Sequence, residues 1–182
     1  MHQLIIYGAP GVGKGTQAEL IAIKLNLEHI STGAILRKSA EEGNELGLLA
    51  KEIMDRGDLV TDDIMNGIVK DSLKKINKDG FILDGYPRTL AQAEALSEIF
   101  TELGFKDIKV INLIADENEI ITRLLKRGRS DDNKETIANR FKVYVESTSP
   151  VKEFFAKQNI IKDINGVGEI EDINKIILEA IK

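Results

Sequence analysis

The amino-acid sequence predicts an α/β fold built on a parallel sheet, and three observations carry that expectation. Short runs rich in Ile, Leu and Val recur along the chain, helical patterns fill the intervals, and the first run leads through a glycine-rich turn into a helix. The runs span residues 3–7, 81–83, 110–115 and 160–164, with a weaker one at 28–30. Unbroken apolarity, rather than alternation, predicts strands covered on both faces, the usual condition of a parallel sheet. Five runs therefore imply five strands.

The helices follow from spacing. Ala18, Ile21, Ala22 and Leu25 recur at i, i+3, i+4 and i+7, and Ala93, Leu96, Phe100 and Leu103 nearly so before Gly104. Asp116 is placed to cap a helix carrying Ile120, Ile121, Leu124 and Leu125 that stops at Gly128. Asp132 with Glu135 has the spacing of a capping box for the next helix, which Pro150 should kink or end. Two stretches do not read as sheet layers: 31–60, helical with few strand signals, and the polar 127–133. Both are expected to be inserts over a site.

Bulk properties narrow the function. At 182 residues the chain suits one domain with a sizeable core. With 25 basic against 30 acidic residues the net charge is -5, so nucleic acid and anionic membranes are not expected partners, and any anion site must be local. There is no cysteine, which removes disulfides and thiolate zinc sites and fits a reducing compartment. No run approaches the roughly 20 apolar residues of a membrane span, and the first is too short for a signal-peptide core. A cytoplasmic monomer is expected.

The segment GAPGVGKGT, residues 8–16, follows a strand and opens a helix. In that context glycines let backbone N–H groups and the helix N-terminus converge on phosphate oxygens, while Lys14 supplies a mobile positive charge. The spacing matches G-x-x-x-x-G-K, but Gly15 follows the lysine and the hydroxyl is delayed to Thr16.

That block resembles the phosphate loop of adenylate kinases and related nucleoside monophosphate kinases. The likeness continues in order through STGAILR at 31–37, GDLVTD at 57–62, FILDGYPRT at 81–89 with Gln92, RLLKRGRSDDN at 123–133, and Arg140. It implies a three-layer fold of the P-loop NTPase type with a helical NMP-binding segment at 31–60 and a minimal lid at 126–132. The implied reaction is reversible phosphoryl transfer from MgATP to AMP. By the same resemblance Gly11, Val12, Gly13, Lys14, Gly15, Thr16, Arg127 and Gly168 hold ATP. Thr32, Arg37, Asp58, Leu59, Val60, Gly85, Tyr86, Pro87, Arg88, Gln92, Arg129 and Arg140 face AMP, the Gln92 amide pairing with the adenine edge. Lys14, Arg88, Arg123, Arg129 and Arg140 are the expected catalytic set. Asp84 would hold Mg²⁺ through water, with Thr16 a second candidate ligand, and no zinc is expected. The family commonly has an aspartate where this chain has Ala34.

The arginines support that reading independently. The chain uses 18 lysines but only seven arginines, and all except Arg56 fall within or beside the quoted blocks. A guanidinium offers a rigid fork that matches phosphate oxygens two at a time. An AMP phosphate is already ionised near neutral pH, so no general base is needed, and neither His2 nor His29 is assigned a catalytic part. Two alternatives stand beside this reading. One is a kinase for CMP or UMP; the other is a nucleotide-dependent switch, for which the nearest N-K-x-D match, at 77–80, lacks the final aspartate.

Overall fold

All five runs form strands, and their order across the sheet explains why the chain alternates. The computed structural model describes residues 2–129 and 131–182. Strands β1 (His2–Gly8), β2 (Glu28–Ser31), β3 (Gly80–Asp84), β4 (Lys109–Ile114) and β5 (Ile161–Asn165) lie in the order β2-β3-β1-β4-β5, every pair parallel. Parallel neighbours need crossovers. These are supplied by α1 (Lys14–Leu25), α2 (Thr32–Glu41), α3 (Glu45–Asp55), α4 (Asp62–Lys74), α5 (Leu90–Leu103), α6 (Glu117–Arg127), α7 (Lys134–Val143) and α8 (Ser149–Ala156), with α9 (Ile170–Ala180) closing the chain.

Successive strand residues point to opposite faces, so the central strands β1, β3 and β4 contribute to two cores. Ile5 and Tyr7 of β1 join Phe81 and Leu83 of β3 and residues of α4, α5 and α8 on one side. Leu4 and Ile6 join Ile82, Ile111 and Leu113 with residues of α1, α6 and α9 on the other. The result is three layers with the central strands buried between helices, while the edge strand β5 departs from the expected cover on both faces, since its Lys162, Asp163 and Asn165 are exposed.

Helix ends follow the sequence in most places. The Thr89 side chain caps α5, Gly104 ends it in the left-handed conformation, Asp116 caps α6 and Gly128 ends it. The start of α7 is a correction. Asn133, not Asp132, caps it, its side chain accepting the Thr136 N–H at 2.9 Å. Asp132 is instead buried among arginines, a stronger use for a carboxylate than a helix cap. Pro150 does not end the helical run but sits at the start of α8. It has no N–H to donate to the carbonyl four residues back, and the chain passes through a π-helical turn, Tyr144–Thr148, before α8.

Between α6 and α7 only 128–133 intervene, so the stretch 126–132 begins inside α6. Ser130 lies outside the described residues. The stretch 31–60 contains α2 and α3, which cross so closely that a Cβ on Gly47 would stand 2.4 Å from the Ala40 backbone nitrogen.

Candidate active site

The strands end in register: Ile6 is level with Asp84, Ser31 with Asp84, Gly8 with Leu113 and Ile114 with Asn165. The loops at this carboxyl edge enclose a continuous cleft of about 890 Å³, where α/β sheets generally bind ligands. The first loop needs glycine. Gly13 sits at φ 107 as the residue before α1, and Gly11, at φ 86, packs so tightly on α6 that a Cβ would stand 2.6 Å from Leu124 Cγ. The loop thus curls with the N-terminus of α1 aimed into the cleft.

Lys14 reaches back across this loop, its Nζ donating to the carbonyls of Gly8 and Ala9, both at 2.9 Å. Burial lowers its pKa to about 8; Asp84 opposes the shift, while Arg88 and Arg127 add to it. An ammonium in this setting gains from an incoming anion.

Arg123 is part of the loop's framework. Its Nε donates to Glu119 at 2.7 Å, and Nη1 donates to the carbonyls of Val12 at 3.1 Å and Gly166 at 2.9 Å. It therefore ties α6 to the first loop and to the loop after β5, where Gly168 lines the same cleft.

Beyond the loop the cleft continues between Gly33, Ala34, Arg37, Asp58 and Leu59 on one side and Gly85, Tyr86, Pro87 and Arg88 on the other. Arg88 is fixed at three points. Nε donates to Gly85 O at 2.8 Å, its N–H to Gln92 Oε1 at 2.7 Å, and its carbonyl accepts from the Thr148 hydroxyl at 2.9 Å. Desolvation lowers the guanidinium pKa against the pull of Asp84, and the Arg140 and Arg37 charges lower it further.

Lys14, Arg37, Arg88, Arg123, Arg127, Arg129 and Arg140 all line this cleft, against the carboxylates of Glu19, Asp58, Asp84 and Asp131. On a chain of net charge -5 this is a local excess of positive charge. Arg127 and Arg140 are held by the adjoining acidic pair. Arg127 grips Asp132 with two hydrogen bonds, and Arg140 pairs with Asp131 and, at 3.4 Å, with Asp132. Among the described residues the Arg37 and Arg129 side chains have neither an ion pair nor a hydrogen bond.

Asp84 ends β3 facing the loop. Burial pushes its carboxyl up, but the His29 imidazole and the Lys14 and Arg88 charges outweigh this and hold it below the usual carboxylate range. The donor set of an ionised carboxylate with the Thr16 hydroxyl on the same cleft suits a hard divalent cation. Among the described residues no group of three or more His, Cys, Asp or Glu is placed to hold a metal directly.

A small satellite pocket opens beside the cleft, lined by Thr32, Leu36, Met54, Val60, Met65 and Gln92 among others. Thr32 is buried and donates to Gly85 O at 3.2 Å. Gln92 is also buried, with both ends of its amide engaged.

Sequence reasoning missed several residues at this site. His29 lines the cleft with Nε2 3.5 Å from Asp84 Oδ2, an arrangement produced by the pairing of β2 with β3. Asp131 and Asp132 were legible as polar residues but not as buried partners of Arg140 and Arg127. Asp62, which binds Gln92, could have been noticed as an acid in the first turn of a helix whose apolar positions are Met65, Val69 and Leu73.

Comparison with known proteins agrees with this geometry. The family model for adenylate kinase matches residues 6–160. An adenylate kinase of Leptospira biflexa is 47% identical over 186 residues, covering 100% of both chains. One of Thermobifida fusca is 45% identical, covering 99% of this chain and 98% of its own. One of Archaeoglobus fulgidus is 40% identical, covering 98% and 99%. With a glycine-rich phosphate loop, a ring of arginines and a match running through both, this chain belongs to the adenylate kinase family.

Proposed function

We infer that this chain catalyses reversible transfer of the terminal phosphoryl group of MgATP to AMP, giving two ADP. The observation that carries the reading is the crowding of seven cations around one cleft. Like charges that depress one another's pKa are relieved by polyanions, and two nucleotides supply them.

The roles are those the family resemblance implies for residues that line this cleft. The backbone of 11–16 and Lys14 take the donor phosphates, with Arg127 and Gly168 at the same end. Arg37 and Arg88 take the acceptor phosphate, and Arg129 and Arg140 bridge to the transferred group. An acceptor phosphate oxygen forms a bond to the terminal phosphorus as the bond to the bridging oxygen breaks, and the electron pair leaves with ADP. No proton has to be removed, so catalysis is alignment and charge neutralisation. Mg²⁺ arriving with ATP would be held through water by Asp84, with Thr16 beside it, and would neutralise phosphate charge.

The stretch 31–60 is the acceptor-binding segment and 126–132 a minimal lid, which excludes water as it closes. Asp58, Leu59, Val60, Thr32 and Gln92 surround the acceptor base. The same reading has the enzyme act as a cytoplasmic monomer without zinc. The lack of cysteine suits a reducing compartment, and among the described residues no helix is long and apolar enough to cross a membrane. Relatives named for adenylate rather than uridylate or cytidylate disfavour the CMP/UMP alternative. A panel of acceptors with ATP as donor tests the assignment: AMP must give the highest kcat/KM, and preference for CMP or UMP would replace it.

A further inference from the structure

The Gln92 amide is held in one orientation by partners of opposite kind. Its Oε1 accepts the Arg88 backbone N–H at 2.7 Å, and its Nε2 donates to Asp62 Oδ1 at 2.8 Å. Asp62 is itself held by the Thr89 hydroxyl, 3.2 Å from each carboxylate oxygen. Reversing the amide would set N–H against N–H and oxygen against carboxylate. A carboxamide has two donors and two acceptor lone pairs. With one of each committed, one N–H and one lone pair remain, in a fixed order, on a side chain that lines the satellite pocket.

We propose that Asp62 is a specificity-determining positioning residue, locking the Gln92 amide so that it accepts a 6-amino purine and rejects a 6-oxo purine. This rests on the reading of Gln92 as the contact to the acceptor base. The edge of adenine presents a donor (the 6-amino group) beside an acceptor (N1), whereas hypoxanthine presents the reverse order, O6 and N1–H. A free amide would rotate to suit either; a locked one pairs with only the first. Cytosine has the same order as adenine, so the lock does not discriminate against CMP. Pocket shape has to do that. Asp62 lies two residues beyond Val60 and opens α4, so the segment around the base also carries the residue that sets the polarity of its reader.

The test compares kcat/KM for AMP, IMP and CMP at saturating MgATP in the wild type, Asp62→Asn, Gln92→Ala and the double variant. The isosteric Asp62→Asn can turn its own amide to face either end of Gln92. It should raise IMP use relative to AMP by about tenfold, the worth of one charge-assisted hydrogen bond, and leave the AMP to CMP ratio within about twofold. In the Gln92→Ala background the same substitution should change neither ratio. Asp62→Ser, with the same expectation, serves if Asp62→Asn does not fold. If Gln92→Ala leaves AMP-over-IMP preference intact, the base-contact reading fails and the lock with it. If Gln92→Ala erodes that preference but Asp62→Asn does not, the lock alone is overturned. A parallel loss for all three acceptors would make Asp62 a structural support and equally overturn the proposal.

Discussion

Asp132 and Arg127 meet side by side, with Nε to Oδ2 at 2.8 Å and Nη2 to Oδ1 at 2.6 Å, so that the last residue of α6 is held by the loop that follows it. The same carboxylate accepts the Arg129 N–H at 3.1 Å and stands 3.4 Å from Arg140 Nη1. One buried acid thus organises three of the arginines assigned to the phosphates.

Replacing that acid should loosen the whole group. Asp132→Asn is expected to cost about 1–2 kcal/mol, the arginines being partly open to solvent, which at this chain length is roughly 2–8 °C in Tm. Turnover should fall by more than KM rises, because the arginines lose alignment rather than charge. Burial opposes ionisation of Asp132, but Arg127, the Arg129 N–H and Arg140 hold its carboxyl below the usual range. Its stabilisation is therefore present above the unfolded carboxylate pKa and is lost as pH falls through the lower folded value. Thermal melts across the acid range should show a shallower acid limb in Asp132→Asn than in the wild type.

Lys14→Ala should lower kcat by roughly 10²–10³-fold, as removal of a preorganised transition-state charge does elsewhere, with little loss of stability. The fold gains nothing from holding this ammonium charged, since burial lowers it from 10.5 to about 8. The unfolded chain binds the extra proton between those values, so this group's contribution to stability rises with pH across that window. Activity runs the other way. kcat/KM for ATP, which reports the free enzyme, should decline as pH rises through about 8. A Lys14→Arg enzyme, whatever its residual rate, should lack that alkaline limb.

Metal dependence should reside in Asp84. Asp84→Asn is expected to raise the Mg²⁺ concentration for half-maximal activity by about tenfold or more. Ala34→Asp, adding a carboxylate on the same cleft, should lower it. Binding of AMP measured without metal should be nearly unchanged in both. Superimposable Mg²⁺ titrations of the three proteins would remove Asp84 from any metal role.

Gly11→Ala is expected to destabilise by about 2–4 kcal/mol, combining a positive-φ backbone with overpacking. The added Cβ would stand 2.6 Å from Leu124 Cγ and 2.9 Å from Ile120 Cγ2. Urea melts measure the cost. A midpoint equal to the wild type would show that the loop does not pack on α6 as described.

The central strands β1, β3 and β4 and their both-face burial were readable because unbroken Ile, Leu and Val runs have few other folded uses, whereas the exposed residues of the edge strand β5 depart from that expectation. The phosphate loop was readable because glycine and lysine spacing is local. Helices α4 and α9 passed unread, although Met65, Val69 and Leu73 have helical spacing, because the polar residues between them obscure the apolar stripe. What no local pattern holds is pairing across the fold. Asp62 with Gln92 is 30 positions apart, and His29 with Asp84 is further, so their meeting depends on strand order and helix placement. Asp132 was misread for the same reason: the cap motif is local, whereas its pull from Arg140 arises across the loop from α7.

The most direct test of the central claim is ADP formation from MgATP with and without AMP, followed as both nucleotides are varied. Alignment of two nucleotides in one arginine-lined cleft requires that ADP appear at a significant rate only when AMP is present. It also requires two ADP for each ATP consumed and no release of free phosphate. ADP and free phosphate formed at the same rate without AMP would show a hydrolase or switch, and would contradict the account.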